Sequence, residues 1–348
     1  MPHLFEPDEH PAEQPDDQTP TTARIARVDR GVVDLLSKSG RSRATISSTL
    51  ANAAATDPER QPCVGDFVRI RHLDDGRTLV DDVLPRRTAI TRASVSPGSS
   101  HRQVLAANID LVAVAEPFDA APNLSRVERL LALAWDSGAT PVVVATKTDR
   151  AGDFLAPWLR DVVAAAPGVV VARTSARDQD VDELATLMTP GVTMAIIGPS
   201  GVGKSSLVNT LAGSEVMATQ AIRADRRGRH TTVHRELHVL PDGSVVIDTP
   251  GLRTLGLADT ESLEQVFSDL EALAAACRFS DCGHQTEPEC AVLSAIDAGV
   301  LDERRLRSWR KLQREADYQA RRRDARLRGV EAARVRALSK SHRHRGRP

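Results

Sequence analysis

The chain's 348 residues suffice for two or three domains, and a hydrophobic content of 41% supports at least one sizeable core. No apolar run approaches the roughly 20 residues that span a bilayer, and the start, MPHLFEPDEH, lacks the basic opening and apolar middle of a signal peptide. A soluble, cytoplasmic protein without a membrane partner is therefore expected. The net charge of −1 conceals an asymmetry: residues 1–20 hold six acidic and no basic side chains, whereas residues 303–348 hold 15 Arg and 2 Lys against 5 Asp or Glu, a surplus of 12. A basic end of that strength fits a polyanion such as RNA, because each phosphate neutralised releases condensed counterions.

Residues 1–21 are rich in Pro, Asp, Glu and Gln and bury too little apolar surface to offset chain entropy, so a disordered acidic tail is expected. From 22 to 92 come short β-like runs, ARIARVDRGVVDLL, RATISS, GDFVRIRH and RTLVDDVL, interrupted by the Asn-, Ala- and Pro-containing stretch 51–62. Their spacing predicts a small OB-type β-barrel. Phe67 is its single aromatic ring, so phosphate and shape contacts would outweigh base stacking there.

From Ile109 the pattern changes to continuous apolar runs alternating with amphipathic segments, as in a buried parallel sheet with crossover helices. The predicted strands are 109–118, 141–147, 168–176, 193–198, 235–240 and 244–250. Between the first two, LSRVERLLALAWDSG places Leu124, Val127, Leu130, Leu131 and Ala134 on one face, with Ser125 as the expected cap and Gly138 as the stop. The domains predicted are thus the barrel at 22–92, a doubly wound α/β domain at 93–260, a helical Cys-containing domain at 261–320 and a basic tail at 321–348.

GPSGVGKS at 198–205 follows a predicted strand and opens a predicted helix, the context that makes a GxxxxGK[ST] phosphate loop specific. Gly198, Gly201 and Gly203 would let backbone N–H groups turn toward phosphates, with Pro199, Ser200 and Val202 completing the nucleotide-binding loop. Lys204 would reach the β and γ phosphates, Ser205 would ligate Mg²⁺, and Ser206 continues the helix start. Asp248 and Gly251 in DTPG end an apolar strand, where the Asp acts on the Mg²⁺ shell and the Gly N–H meets the γ phosphate. RRGRHTT at 226–232 lies where a switch loop supplies a Thr to the metal, and spacing leaves Thr231 and Thr232 equivalent.

Base choice is read from TKTD and TSA. TKTD (Thr146, Lys147, Asp149) resembles the [NT]KxD element whose Asp accepts from guanine N1 and N2 while the Lys stem covers the ring. TSA (Ser175, Ala176) resembles the element whose backbone N–H meets guanine O6. Thr146 stands where Asn is commoner, and a loosened hydrogen bond toward the phosphate loop is expected. GTP or GDP, rather than an adenine nucleotide, is the expected ligand. The motif order is permuted: base elements first, then phosphate loop, switch and DTPG. Leu252 occupies the position at which conventional GTPases place a water-orienting Gln, and His230 is the nearest polar candidate for that role.

Cys277, Cys282, His284 and Cys290 form C-x4-C-x-H-x5-C, suited to a closed tetrahedral Zn²⁺. Four protein ligands leave no position for a catalytic water, so one structural zinc per chain is expected. Cys63 stands apart as a buried apolar residue.

The permuted order, GPSGVGKSS, GRHTT, DTPG, the cysteine cluster and the GDFV-containing barrel together resemble the ribosome small-subunit-dependent GTPase A family, also called RsgA or YjeQ, across residues 22–320. The resemblance favours Thr232 as the Mg²⁺ ligand. It implies an OB-fold, a permuted GTPase domain and a zinc domain, with GTP hydrolysis stimulated by the small ribosomal subunit and its rRNA late in subunit maturation. The chain is expected to act as a monomer. Two alternatives remain open on the residues alone: a permuted GTPase serving another RNA assembly, and a nucleotide-gated RNA-binding module with negligible turnover.

Overall fold

A computed structural model describes residues 21–93, 102–118, 121–217, 235–248 and 261–323. The described residues divide between two compact units, one within Met1–Arg92 and Gln103–Leu255, the other within Ala93–Arg102 and Gly256–Pro348.

The first unit opens with β1 (Thr21–Val28), β2 (Val32–Ser37), β3 (Gly40–Ile46), helix α1 (Ser48–Thr56), β4 (Phe67–His72) and β5 (Thr78–Val83). Their order β1-β2-β3-β5-β4 closes through antiparallel β1–β4 pairing, so the five strands form the expected OB-type barrel and leave no open edge among themselves. Ile25, Leu35, Val68 and Val80 fill it, and Leu50 of α1 packs into the same core. The stretch read as an interruption thus begins with a helix, capped by Ser47, whose hydroxyl accepts from the Leu50 N–H at 3.3 Å.

The chain continues through β6 (Ala89–Ala93), β7 (Arg102–Ala107), β8 (Leu111–Pro117), α2 (Leu124–Asp136), β9 (Thr140–Thr146), α3 (Leu155–Ala165), β10 (Val170–Arg173), α4 (Asp182–Ala185), β11 (Thr193–Ile197), α5 (Lys204–Ala212), β12 (Glu236–Val239) and β13 (Val245–Asp248). β6 and β7 pair with each other. The main sheet runs β10-β9-β8-β11-β13-β12, with its first five strands parallel. β12 is antiparallel to β13, because the short connection between them cannot cross over the sheet. The predicted strands are all present.

In α2, Val127, Leu130, Leu131 and Ala134 are buried as the periodicity predicts. The cap is Asn123 rather than Ser125: its side chain accepts from the Arg126 N–H at 3.0 Å, and the helix therefore begins one residue before Ser125. Gly138, with φ of +80°, ends the helix as expected.

β12 also pairs with β1, Arg27 opposite Glu236, which joins the barrel and the α/β sheet into one eleven-stranded sheet. The junction is close-packed. A Cβ on Gly65 would lie 2.1 Å from the Ala107 carbonyl oxygen, so only glycine fits there. Beside it, Arg24 is 1% exposed and donates to the carbonyls of Gly65 (3.3 Å) and Asn108 (3.0 Å) and to the Thr193 hydroxyl (2.9 Å). Burial lowers its pKa to about 10. Cys63 is buried, and burial pushes its thiol pKa well up, consistent with an inert apolar role.

The second unit carries α6 (Glu261–Val266), α7 (Ser268–Ala274), α8 (Ala291–Asp297) and α9 (Glu303–Arg323). Leu263, Val266, Phe267, Leu270 and Leu306 are buried there. Arg305, 3% exposed, donates to both carboxylate oxygens of Asp269 at 2.6 Å and to the Val266 carbonyl at 2.7 Å. Among the described residues no helix is long and apolar enough to cross a membrane.

Candidate nucleotide site and metal centre

Parallel strands bring their carboxyl ends to one edge of the sheet, and that edge holds the motifs. β11 lies between β8 and β13 and runs into the phosphate loop. A Cβ on Gly198 would meet the Ala115 carbonyl oxygen of β8 at 2.6 Å, so the loop can leave the sheet this closely only at a glycine. Gly201 (φ +77°) and Gly203 (φ +108°) take the left-handed turns that aim the following N–H groups, and α5 starts at Lys204. The Lys204 Nζ donates to the carbonyls of Gly198 (3.1 Å) and Pro199 (3.0 Å), which holds it over the loop that would receive phosphates.

β9 ends at Thr146, which is 4% exposed, and its hydroxyl donates to the Val202 carbonyl of the phosphate loop at 2.7 Å. The expected loosening of that bond is not found. Pro117 of β8 lies opposite Thr146 in the strand register. Lys147 adopts φ of +62°, and the Thr148 N–H and hydroxyl both donate to the Thr174 carbonyl, at 3.2 and 3.0 Å. TKTD and TSA are thereby clamped together. The Ser175 hydroxyl lies within donating distance of Asp149 Oδ1 (3.2 Å) and Asp178 Oδ2 (2.9 Å), and Arg177 approaches Asp149 Oδ2 at 3.9 Å.

A cavity of about 230 Å³ results, lined by Thr146, Lys147, Asp149 and Arg150 from the first motif, Thr174, Ala176 and Arg177 from the second, and Val202, Gly203, Ser206 and Leu207 from the phosphate loop and α5. Sites 57 residues apart in sequence, Thr146 and Gly203 among them, face one space. Ser175, Lys204, Ser205 and Asp248 lie outside its lining. Arg150 and Arg177 were not singled out by sequence, although each directly follows its motif. Glu116 was also missed: 1% exposed at the end of β8, it accepts from the Asn123 N–H (2.9 Å) and from Arg126 Nη2 (2.5 Å) and Nε (3.0 Å), and fixes the loop beside Thr146. Its signal was a lone acid ending an apolar strand.

For Mg²⁺ the donors fit by chemistry, a hydroxyl at the start of α5 and a carboxylate ending β13, with Asp248 opposite Ile196 of the phosphate-loop strand. His230, Thr231, Thr232 and Gly251 fall outside the described residues.

In the second unit, the ligand atoms of Cys277, Cys282, His284 and Cys290 all lie within 4.8 Å of one another. Cys277 Sγ is 3.6 Å from His284 Nδ1 and 3.9 Å from Cys290 Sγ, and Cys290 Sγ is 3.4 Å from His284 Nδ1. A tetrahedral zinc with ordinary bond lengths has S···S edges of about 3.8 Å and S···N edges of about 3.5 Å, so the donors fit that ion. His284 takes φ of +56°, and burial lowers its pKa, favouring the neutral imidazole a metal requires. The Glu287 carboxylate accepts backbone N–H groups of Gly283 (3.0 Å), Gln285 (2.6 Å) and Thr286 (2.9 Å), which shapes the loop around the cluster. These bonds, with its own N–H contributing most, hold its pKa below the usual carboxylate range. Arg310 donates to the His284 carbonyl.

Comparison with known proteins agrees with this geometry. Residues 83–258 match the family described as RsgA GTPase. The small ribosomal subunit biogenesis GTPase RsgA of Streptomyces avermitilis is 48% identical over 310 residues, which cover 88% of this chain and 82% of that protein. The protein of the same description from Streptomyces coelicolor is 47% identical, covering 88% and 83%. Among solved structures, YjeQ from Thermotoga maritima matches with a TM-score of 0.62 and 24% identity over 85% of this chain and 98% of its own. YloQ, described as a circularly permuted GTPase, matches with a TM-score of 0.60 and 22% identity over 88% and 99%. At those identities the two structures bear on the fold, which they share with this chain. The chain belongs to the RsgA GTPase family and is a GTP hydrolase.

Proposed function

We propose that this GTPase binds the small ribosomal subunit and its rRNA and couples GTP hydrolysis, stimulated by that subunit, to a late step of subunit maturation. The observation that carries the nucleotide half is the cavity in which TKTD, TSA and the phosphate loop meet. The relatives' names supply the subunit half.

In this reading Asp149 accepts from guanine N1 and N2, the Lys147 stem covers one face of the ring, and the backbone N–H of Ala176 meets O6. Ser175 fixes the Asp149 rotamer. The N–H groups of the 198–206 loop and Lys204 hold the β and γ phosphates, and Gly251 meets the γ phosphate. Ser205, Thr232 and Asp248 would hold Mg²⁺, which supplies charge neutralisation at the β and γ oxygens. His230 orients the attacking water, the role that Leu252 cannot fill. The cysteine cluster holds one structural zinc, and the chain works as a cytoplasmic monomer.

The test is GTP turnover alone and with purified small subunits, large subunits or free RNA. Stimulation by small subunits alone is expected, and none would refute the reading. His230→Ala should bind GTP normally and lose the stimulation; unchanged stimulated turnover would remove His230 from the mechanism.

A further inference from the structure

The guanine end of the cavity holds a cation that the two base-reading motifs do not account for. Asp149, whose side chain is 10% exposed, has Ser175 Oγ 3.2 Å from its Oδ1 and Arg177 Nη1 3.9 Å from its Oδ2. The first neighbour is fixed in place. Ser175 and Asp180 exchange backbone hydrogen bonds at 2.7 and 2.9 Å, which closes the 175–180 loop on itself, and Gln179 Nε2 donates to the Ala176 carbonyl at 2.8 Å. The second neighbour is fixed only at its root: the Arg177 backbone belongs to that closed loop, whereas its side chain is 81% exposed and still lines the cavity. At 3.9 Å the guanidinium is outside hydrogen-bonding range of Oδ2, and a shift of about 1 Å makes the bond. An ion pair so open to water holds its arginine weakly, so Arg177 can yield Oδ2 to a ligand or take it up.

Guanine serves both oxygens of such a carboxylate, one with N1–H and one with its 2-amino group. Hypoxanthine has the same N1–H and the same O6 and lacks only the amino group, so one oxygen receives no donor from the base. A site built around a donor ordinarily rejects the analogue that lacks it by about 10⁴–10⁵, because the acceptor is left unpaired. Here a second donor stands beside the acceptor, on a side chain long enough to follow it.

We propose that Arg177 is a specificity-determining residue that takes the place of the 2-amino group at Asp149 Oδ2, so that the site accepts hypoxanthine nucleotides as well as guanine nucleotides. Adenine stays excluded, since it offers neither N1–H nor O6. The inference rests on the reading of Asp149 as the guanine acceptor given above.

The experiment is displacement of a fluorescent GDP analogue from the full chain by unlabelled GDP, IDP and ADP, with the ratio of the IDP Kd to the GDP Kd as the readout. In the unaltered chain the ratio should fall at least about tenfold short of the 10⁴–10⁵ range of a site with an unpaired acceptor. Arg177→Gln, which keeps much of the stem and removes the charge, should raise the ratio by about 5- to 150-fold, the cost of leaving that acceptor without a donor. Arg177→Lys, which restores a cationic donor, should bring it most of the way back. A variant that merely loosened the loop would weaken both nucleotides together and leave the ratio where it was, and that result counts against the proposal. A ratio of about 10⁴ or more in the unaltered chain, or an Arg177→Gln ratio within about twofold of the original, would each overturn it. Failure of the guanine reading is a separate result: Asp149→Asn binding GDP as tightly as the original, or ADP displacing the analogue as well as GDP does, whatever Arg177→Gln does to the ratio.

Discussion

Replacing Thr146 by Val keeps the side chain's volume and β-branching and removes one donor. In the structure that donor, 4% exposed, is bonded at 2.7 Å to the Val202 carbonyl, and it is the direct side-chain link between the guanine strand end and the phosphate loop. A buried carbonyl left without its donor costs about 1–3 kcal/mol. If the cost falls on the empty protein, the melting temperature drops by about 2–4 °C per kcal/mol for a unit of this size. If it falls on the loop as nucleotide holds it, the same energy appears as a GDP affinity about 5- to 150-fold weaker. Titration with a fluorescent GDP analogue, combined with melting curves with and without GDP, separates the two, because at a fixed GDP concentration the ligand-linked stabilisation is set by Kd and not by the stability of the empty protein. We expect the affinity to fall, and Thr146→Asn, which restores a donor, to bind within about threefold of the original. A Val variant with unaltered affinity and unaltered melting would show that the bond does not couple the two motifs.

Gly198→Ala should abolish nucleotide binding, measured with the same analogue, since its Cβ would sit 2.6 Å from backbone in β8; retained affinity would mean the strands can part there. Cys290→Ser should lose zinc by metal analysis and destabilise the second unit, whose α8 cap is the same sulfur, 3.5 Å from the Leu293 N–H; a full metal complement would disprove the ligand set. Burial lowers the His238 pKa below the ordinary imidazole value of about 6.5, so just below pH 6.5 the unfolded chain binds more protons and stability falls as pH falls. His238→Gln should make the melting temperature less dependent on pH just below about 6.5, and an unchanged slope would assign the acid sensitivity elsewhere. Cutting the chain between the α/β domain and the Cys-containing domain should uncouple hydrolysis from subunit binding, because in the permuted order DTPG leads directly into that domain. Full stimulated turnover by the separated core would refute this.

The motifs were legible because each is local. A phosphate loop needs a strand, a glycine-rich turn and a helix start within about a dozen residues, and a C-x4-C-x-H-x5-C cluster needs only a short loop, so residue type and spacing carry the information. Periodicity likewise gave the parallel strands and the buried face of α2. It missed the start of α2 by two residues: Asn123 and Ser125 are equally good caps by type, and only the position of the Arg126 N–H chooses between them. Helix α1 went unread because a nine-residue segment with a single buried side chain, Leu50, has no periodic signal.

By itself, then, the sequence determined the candidate chemistry: a phosphate-loop motif, two strand ends that resemble guanine-reading elements, and a Cys and His cluster with the spacing of a metal site. Tertiary structure alone decided how the nucleotide motifs meet one another. That TKTD and the phosphate loop share a cavity follows from strand order, in which β8 separates β9 from β11 and Thr146 reaches across to Val202. That β1 of the barrel pairs with β12, and that Arg24 is sequestered against Thr193 at the base of the phosphate-loop strand, likewise comes from contacts 209 and 169 residues apart. Such contacts are selected by the packing of the whole sheet, and no local pattern in the chain encodes them.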